Sequence, residues 1–218
     1  MSSKRLILFF ILGVFVLLWS VPVLVGQYVR SGHADVLAAI RAGEPTPDAV
    51  IARTIAEDEA ALRLAPCNLA LRSELVLLNA QHVDAAAAAP ENADEDVPLA
   101  RLQHALDEQL ACAPTDGKAW LDEAMIGIYR GGITPQSLAA YRMSARVAPG
   151  ESWLAEKRLL FALEFRPVFD AKSLAVAQRD LVVLERAHPN RMTEVMKAAN
   201  VTSKPQLYAL FAAAQPKP

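Results

Sequence analysis

The sequence predicts an all-α protein, with one membrane-spanning helix at the N-terminus followed by stacked helical hairpins. Three observations predict it. Hydrophobic residues make up 53% of the chain and aromatic residues only 6%. The apolar mass is therefore chiefly Ala, Leu and Val, and the first two are strong helix formers. Residues Leu6 to Gly26 carry no charge. Beyond them, prolines and glycines cut the chain at intervals suited to helical hairpins.

The uncharged stretch reads LILFFILGVFVLLWSVPVLVG. About 20 apolar residues cross the hydrocarbon core as a helix, so residues 6–26 are expected to lie in the lipid bilayer. Tyr28 suits the membrane interface, and Pro22 is tolerated near the end of such a helix. The rival reading is a cleaved signal peptide, whose apolar region spans about 7–15 residues before a small-x-small site. This run is longer, and cleavage after Ser20 or Gly26 would put Leu18 or Leu24 at the −3 position. An uncleaved anchor over residues 1–30 follows, with Lys4 and Arg5 keeping the N-terminus in the cytoplasm. Residues 31–218 then form an exported helical domain. No later stretch is comparable, because Leu154–Phe165 is broken by Glu156, Lys157, Arg158 and Glu164.

The exported part reads as a series of hairpins. A short helix over Ala34–Ala42 ends at Gly43. Thr46 is placed to cap the next helix, with Pro47 in its first turn, and that helix stops before Pro66. Ala70–Ala85 and Leu99–Cys112 form the next pair, joined by a mobile acidic loop at about 85–98. Gly117–Tyr129 and Pro135–Val147 follow, turned by Gly131-Gly132, with Thr134-Pro135 as the cap. Ser152–Phe165 and Lys172–Ala187 are separated by Arg166-Pro167. Arg191–Ala199 and Pro205–Ala214 complete the chain, the last with Ser203 and Gln206 as a capping box.

Cys67 and Cys112 stand at the start and the end of one hairpin. The first helix's N-terminus and the second helix's C-terminus lie at the same end of an antiparallel hairpin. An exported location permits a disulfide there. Two cysteines at no ligand spacing do not suggest zinc, and a C-x-x-C redox motif is missing.

The net charge is −2, and setting Lys4 and Arg5 aside makes the remainder more acidic. That balance argues against nucleic acid as a partner. His33, His82, His104 and His188 are scattered. His104 and Glu108 share a helical face as a solvated contact, and no metal site or cofactor is expected. Glu57, Asp58 and Glu59 are consecutive, fan around a helix and read as solvated surface. No zinc-protease, serine-hydrolase, phosphate-loop or haem motif occurs, so the chain is not expected to be an enzyme.

AALRLAPCN, QLACAPTDG, SARVAPGES and LERAHPNRM share a helix end, a proline and a new helix. The Pro114–Pro149 interval approaches the period of about 34 residues found in tetratricopeptide repeats. Trp120, Ala124, Tyr141, Ser144 and Pro149 sit near the favoured positions of that repeat, and the segment resembles it. Glu123 and Gly127 depart from it, standing where leucine and tyrosine are usual. The resemblance implies a helical-hairpin solenoid. It places Lys118, Leu121, Met125, Ile128 and Tyr129 at inner-groove positions, with Arg142 and Arg146 nearby as partner-binding candidates. Helical periodicity favours core burial for Leu121, Met125 and Ile128.

The stretches CAPTDGKAW and YRMSARVAPGESWLAEKRLLFALEF resemble small anchored bacterial proteins that accompany exopolysaccharide or O-antigen polymerisation and export. That similarity implies a non-catalytic adaptor of the inner membrane. Its helical domain would face the periplasm and meet another envelope protein, such as a polysaccharide polymerase or export component. The alternative is an assembly factor for exported proteins, like the anchored repeat subunits of cytochrome c maturation.

Overall fold

The computed structural model describes residues 3–88 and 96–212; the side chains of residues 3–8, 18, 19, 22, 87, 88, 96 and 129 lie outside the description. The fold is all-α, with no strand among the described residues. Compactness divides the chain into two units, Met1–Cys112 and Ala113–Pro218.

The first unit opens with α1, Ser3–Arg41, a single helix of 39 residues. The separate helix expected at Ala34–Ala42 is the continuation of the N-terminal one. Within α1 no proline follows Pro22, and a lone glycine such as Gly32 does not end a helix. Gly43 ends it with φ of 73°. The Gly43 N–H donates to the Ile40 carbonyl and the Glu44 N–H to that of Ala39, the paired closure that favours glycine. Among the described residues no helix is long and apolar enough to cross a membrane. In α1 the side chains described without a break in the apolar run extend only from Phe9 to Leu17.

Helix α2 covers Asp48–Leu62, with Pro47 itself at the N-cap and no side-chain cap. Thr46 does not cap it: its hydroxyl donates to the Glu44 carbonyl at 3.4 Å. Helices α3, Leu69–Ala88, and α4, Asp96–Cys112, both run further than expected. The alanine run sustains α3, and Pro98 is tolerated in the first turn of α4. The centre of the expected acidic loop, residues 89–95, lies outside the described residues. Cys67 and Cys112 are joined in a disulfide, with Cα atoms 5.3 Å apart. Leu37, Ile40, Ile51, Ile55 and Leu78 form a core joining α1, α2 and α3.

The second unit begins with α5, Gly117–Tyr129, and α6, Pro135–Val147, at the expected bounds. Asp116 caps α5 by accepting from the N–H groups of Lys118 and Ala119. Thr134 caps α6 in a reciprocal box with Ser137, the partner that sequence reading left out. Helix α7, Ser152–Glu164, a 3-10 turn at Arg166–Val168 and α8, Ala171–Ala187, follow. Then come α9, Pro189–Ala198, and α10, Lys204–Ala212. The expected Ser203–Gln206 box is replaced: Gln206 accepts from the N–H and hydroxyl of Thr202, each at 3.1 Å.

Helix α5 packs on α6 and α7 on α8, while α5 also meets α7 and α6 meets α8. Consecutive hairpins therefore stack within this unit, as hairpin repeats do. Tyr141 lies at the centre, stacked on Phe161 at 5.8 Å and edge-on to Phe169 at 5.0 Å. Trp153 stands outside this core and is 47% exposed. Gly127 has a physical reason to depart from the repeat pattern. A Cβ there would lie 2.2 Å from Ser137 Oγ and 3.1 Å from the Gly132 carbonyl oxygen. The close approach of α5 to the α6 cap admits no side chain.

Candidate functional site

The partner-binding candidates separate once the helices are in place. Leu121 is buried in the core, so it is unavailable to a partner. Met125 is exposed, and Lys118 is half-buried and paired with Asp122 four residues on. Burial pushes the Asp122 carboxyl up despite that ammonium group. The Tyr129 side chain lies outside the described residues.

Arg142 and Arg146 line a groove between α6 and α8. Its other walls are Ala145, Pro149, Lys172, Ala175, Val176 and Arg179, and no acid is among them. Residues 142 and 146 are one turn apart on α6, as 172, 175–176 and 179 are on successive turns of α8. Helix packing thus gathers four cations from a net-acidic chain. Arg146, Lys172 and Arg179 are exposed. Arg142 is fixed by Asp170 Oδ2 at 2.8 Å and Ser173 Oγ at 3.0 Å. Asp170 also caps α8, accepting from the Ser173 N–H at 2.7 Å. Burial raises its pKa, but the Ser173 bonds and Arg142 outweigh that and hold it below the ordinary range. The whole-chain charge concealed this groove. Lys172 and Arg179 became legible only when α8 was set beside α6.

Beneath α8 lies a second ionic arrangement. Arg158, with no exposure, donates from Nε and Nη2 to the two carboxylate oxygens of Asp180, both at 2.7 Å. Its Nη1 reaches Ser144 Oγ and the Ala148 carbonyl, each at 3.4 Å. Ser144 in turn donates to the Gly117 carbonyl at 2.7 Å. Burial pushes the Asp180 carboxyl up, outweighing the Arg158 bonds. The pair ties α7 to α8 under the basic groove.

The first unit holds a polar cluster that sequence reading missed. His33 of α1, Asp58 of α2 and Glu74 of α3 are all buried, and one ligand atom from each lies within 4.8 Å of the others. Asp58 is not solvated surface, as expected, but wholly enclosed. Its signal was present: Ile51, Thr54, Ile55, Asp58, Ala61 and Leu62 form the buried stripe of α2, so an acid occupies a core position. Glu57, its neighbour, is about half exposed and lies 2.8 Å from His33 Nε2. Arg30 Nε donates to Glu74 Oε1 at 2.6 Å. Burial, with Glu74 adding to it and His33 opposing, pushes the Asp58 carboxyl up to about 7. The His104–Glu108 contact, by contrast, is exposed and 3.7 Å long; Glu108 is shared with Arg72.

No protein-family model, curated protein or solved structure matches the chain.

Proposed function

We propose that this protein is a membrane-anchored, non-catalytic adaptor whose groove between α6 and α8 binds an acidic segment of another cell-envelope protein. The groove carries the reading: four cations line it and no acid does. Tethering a weak binding surface to the membrane raises its effective concentration toward a partner in the same bilayer. The anchor is supported by the uncharged run Leu6–Gly26 within α1 and by exposed Phe9, Phe10, Phe15 and Leu17 along it. The Cys67–Cys112 bond supports an oxidising location. The N-terminus then lies in the cytoplasm and residues 31–218 in the periplasm. A bacterial inner-membrane complex for exopolysaccharide polymerisation or export is the setting that the sequence resemblance suggests.

A photocrosslinking amino acid placed at Ala175, between Lys172 and Arg179, tests the groove in cells. A discrete adduct with one envelope protein is expected, and Arg146→Glu with Arg179→Glu should remove it. An adduct that survives this charge reversal contradicts the electrostatic reading. A ladder of many unrelated exported proteins would instead favour the assembly-factor role.

A further inference from the structure

We infer that His33, Asp58 and Glu74 form a binding site for a divalent first-row transition-metal ion of the zinc class, clamping α1 to α2 and α3. The inference is independent of the adaptor proposal, since it concerns the first unit and not the basic groove.

Lone pairs make the case. His33, Asp58 and Glu74 are 4%, 0% and 3% exposed. Nδ1 of His33, both carboxylate oxygens of Asp58 and Oε2 of Glu74 are buried without a protein hydrogen-bond partner. His33 Nδ1 and Asp58 Oδ1 lie 3.1 Å apart as an ion pair, which leaves Asp58 Oδ2 and Glu74 Oε2 with no partner at all. Buried polar atoms in native proteins are overwhelmingly satisfied, and charges taken out of water are paired or coordinate metals. Here four such atoms from three helices converge.

Glu57 supplies the second feature. With its oxygen 2.8 Å from His33 Nε2, the carboxylate accepts a hydrogen bond from that N–H, which leaves the lone pair on Nδ1, beside Asp58. Carboxylate, imidazole and metal in line is the usual outer-sphere arrangement of histidine ligands. Arg30 likewise occupies Glu74 Oε1 and leaves Oε2 to the centre. The charges agree as well: Asp58, Glu74 and Glu57 meet the guanidinium of Arg30 and, 3.8 Å from Glu57, that of Arg53, an acidic excess that a divalent cation offsets.

The donor set narrows the ion. One imidazole with two carboxylates suits zinc, cobalt or ferrous iron better than magnesium or calcium, which prefer oxygen alone. Zinc bonds of about 2.0–2.2 Å set tetrahedral ligand separations near 3.5 Å. The ligand atoms lie within 4.8 Å of one another, so side-chain movement of about 1 Å or less brings them to that separation on binding. A groove lined by Val25, Tyr28, Gly32, His33 and Glu57 opens beside the imidazole.

The test uses the full chain in detergent micelles, disulfide intact, stripped with chelator and dialysed against buffered ZnCl2. The expected result is one zinc retained per chain, with a raised melting temperature. Asp58→Asn should abolish retention and His104→Ala should leave it unchanged. Glu57→Gln, at a half-exposed position that does not threaten folding, should weaken zinc by about 10–100-fold without moving the metal-free melting temperature. Wild-type protein that retains no zinc overturns the proposal. Equal retention by Asp58→Asn or Glu57→Gln overturns it too, by placing the ion elsewhere. Magnesium binding as tightly as zinc refutes the nitrogen ligand.

Discussion

The Arg158–Asp180 pair offers the sharpest test of how the second unit is held together. Both partners are buried, and two bonds of 2.7 Å join them in a fork. Asp180→Asn keeps the shape and removes one charge. The guanidinium is then left in the core facing a group that accepts only once. Breaking one side of a buried pair costs about 3–5 kcal/mol, and the remaining Asn acceptor puts this variant near the lower figure. That is a large fraction of the roughly 5–15 kcal/mol by which domains are stable. Removing both charges is a different matter. The Asp180 carboxyl is pushed up by burial even with Arg158 attached, so desolvation offsets the attraction. Arg158→Met with Asp180→Leu should therefore lie within about 1 kcal/mol of wild type, or above it. Ser144 keeps its Gly117 acceptor in the double variant, and the Ala148 carbonyl loses only the long 3.4 Å contact from Arg158. Urea unfolding is followed by fluorescence in a Trp19→Phe background, leaving Trp120 and Trp153 of this unit to report. The reasoning fails if Asp180→Asn costs under about 1 kcal/mol, or if the double variant is as unstable as the single one.

Three further outcomes are expected. Replacing Cys67 and Cys112 with Ser should cost the first unit about 4 kcal/mol, the chain-entropy value for the 45-residue separation of the bridge; reduction of wild type by dithiothreitol should give the same shift in urea midpoint, and no shift would refute it. Asp170→Ala should destabilise the second unit by about 0.5–2 kcal/mol through loss of the α8 cap. Because the folded carboxyl titrates below its ordinary value, that stabilisation is full above the unfolded pKa of about 4 and fades as pH falls through the folded one. Melts from pH 7 down to 3 should show the two proteins converging. Gly117→Ala puts a Cβ 2.5 Å from Ala148 Cβ and 2.9 Å from Leu154 Cδ2, an overpacking loss of about 1–3 kcal/mol, whereas Gly150→Ala meets nothing within 4 Å and should be neutral in the same melts.

Helices α5 and α6 were legible to the residue because local chemistry ends them: Gly131-Gly132 turns the chain and Thr134-Pro135 restarts it. The Cys67–Cys112 bond was legible for a topological reason, since the two ends of one hairpin must meet. The break expected before Ala34 was not real, because nothing between Gly26 and Ala34 stops a helix whose neighbours already propagate it. The caps at Thr46 and Ser203 failed because the Thr46 hydroxyl turns to the Glu44 carbonyl and Gln206 bonds Thr202 instead. The buried charges were the hardest to read. His33, Asp58 and Glu74 belong to three helices, as Arg142 and Arg179 belong to two, and only tertiary packing decides which side chains converge. Even so, Asp58, Arg158 and Asp180 each occupy the apolar stripe of their helix, and an ionisable residue in such a stripe is a signal that sequence alone provides.

The proposed adaptor requires that residues 31–218 face the oxidising side of the membrane while residues 6–26 stay in it. A C-terminal alkaline-phosphatase fusion, which matures only after export, measures this directly. The account predicts an active enzyme that sediments with membranes and stays there after alkaline carbonate washing. An inactive fusion, with a green-fluorescent fusion at the same site bright in the cytosol, would contradict it.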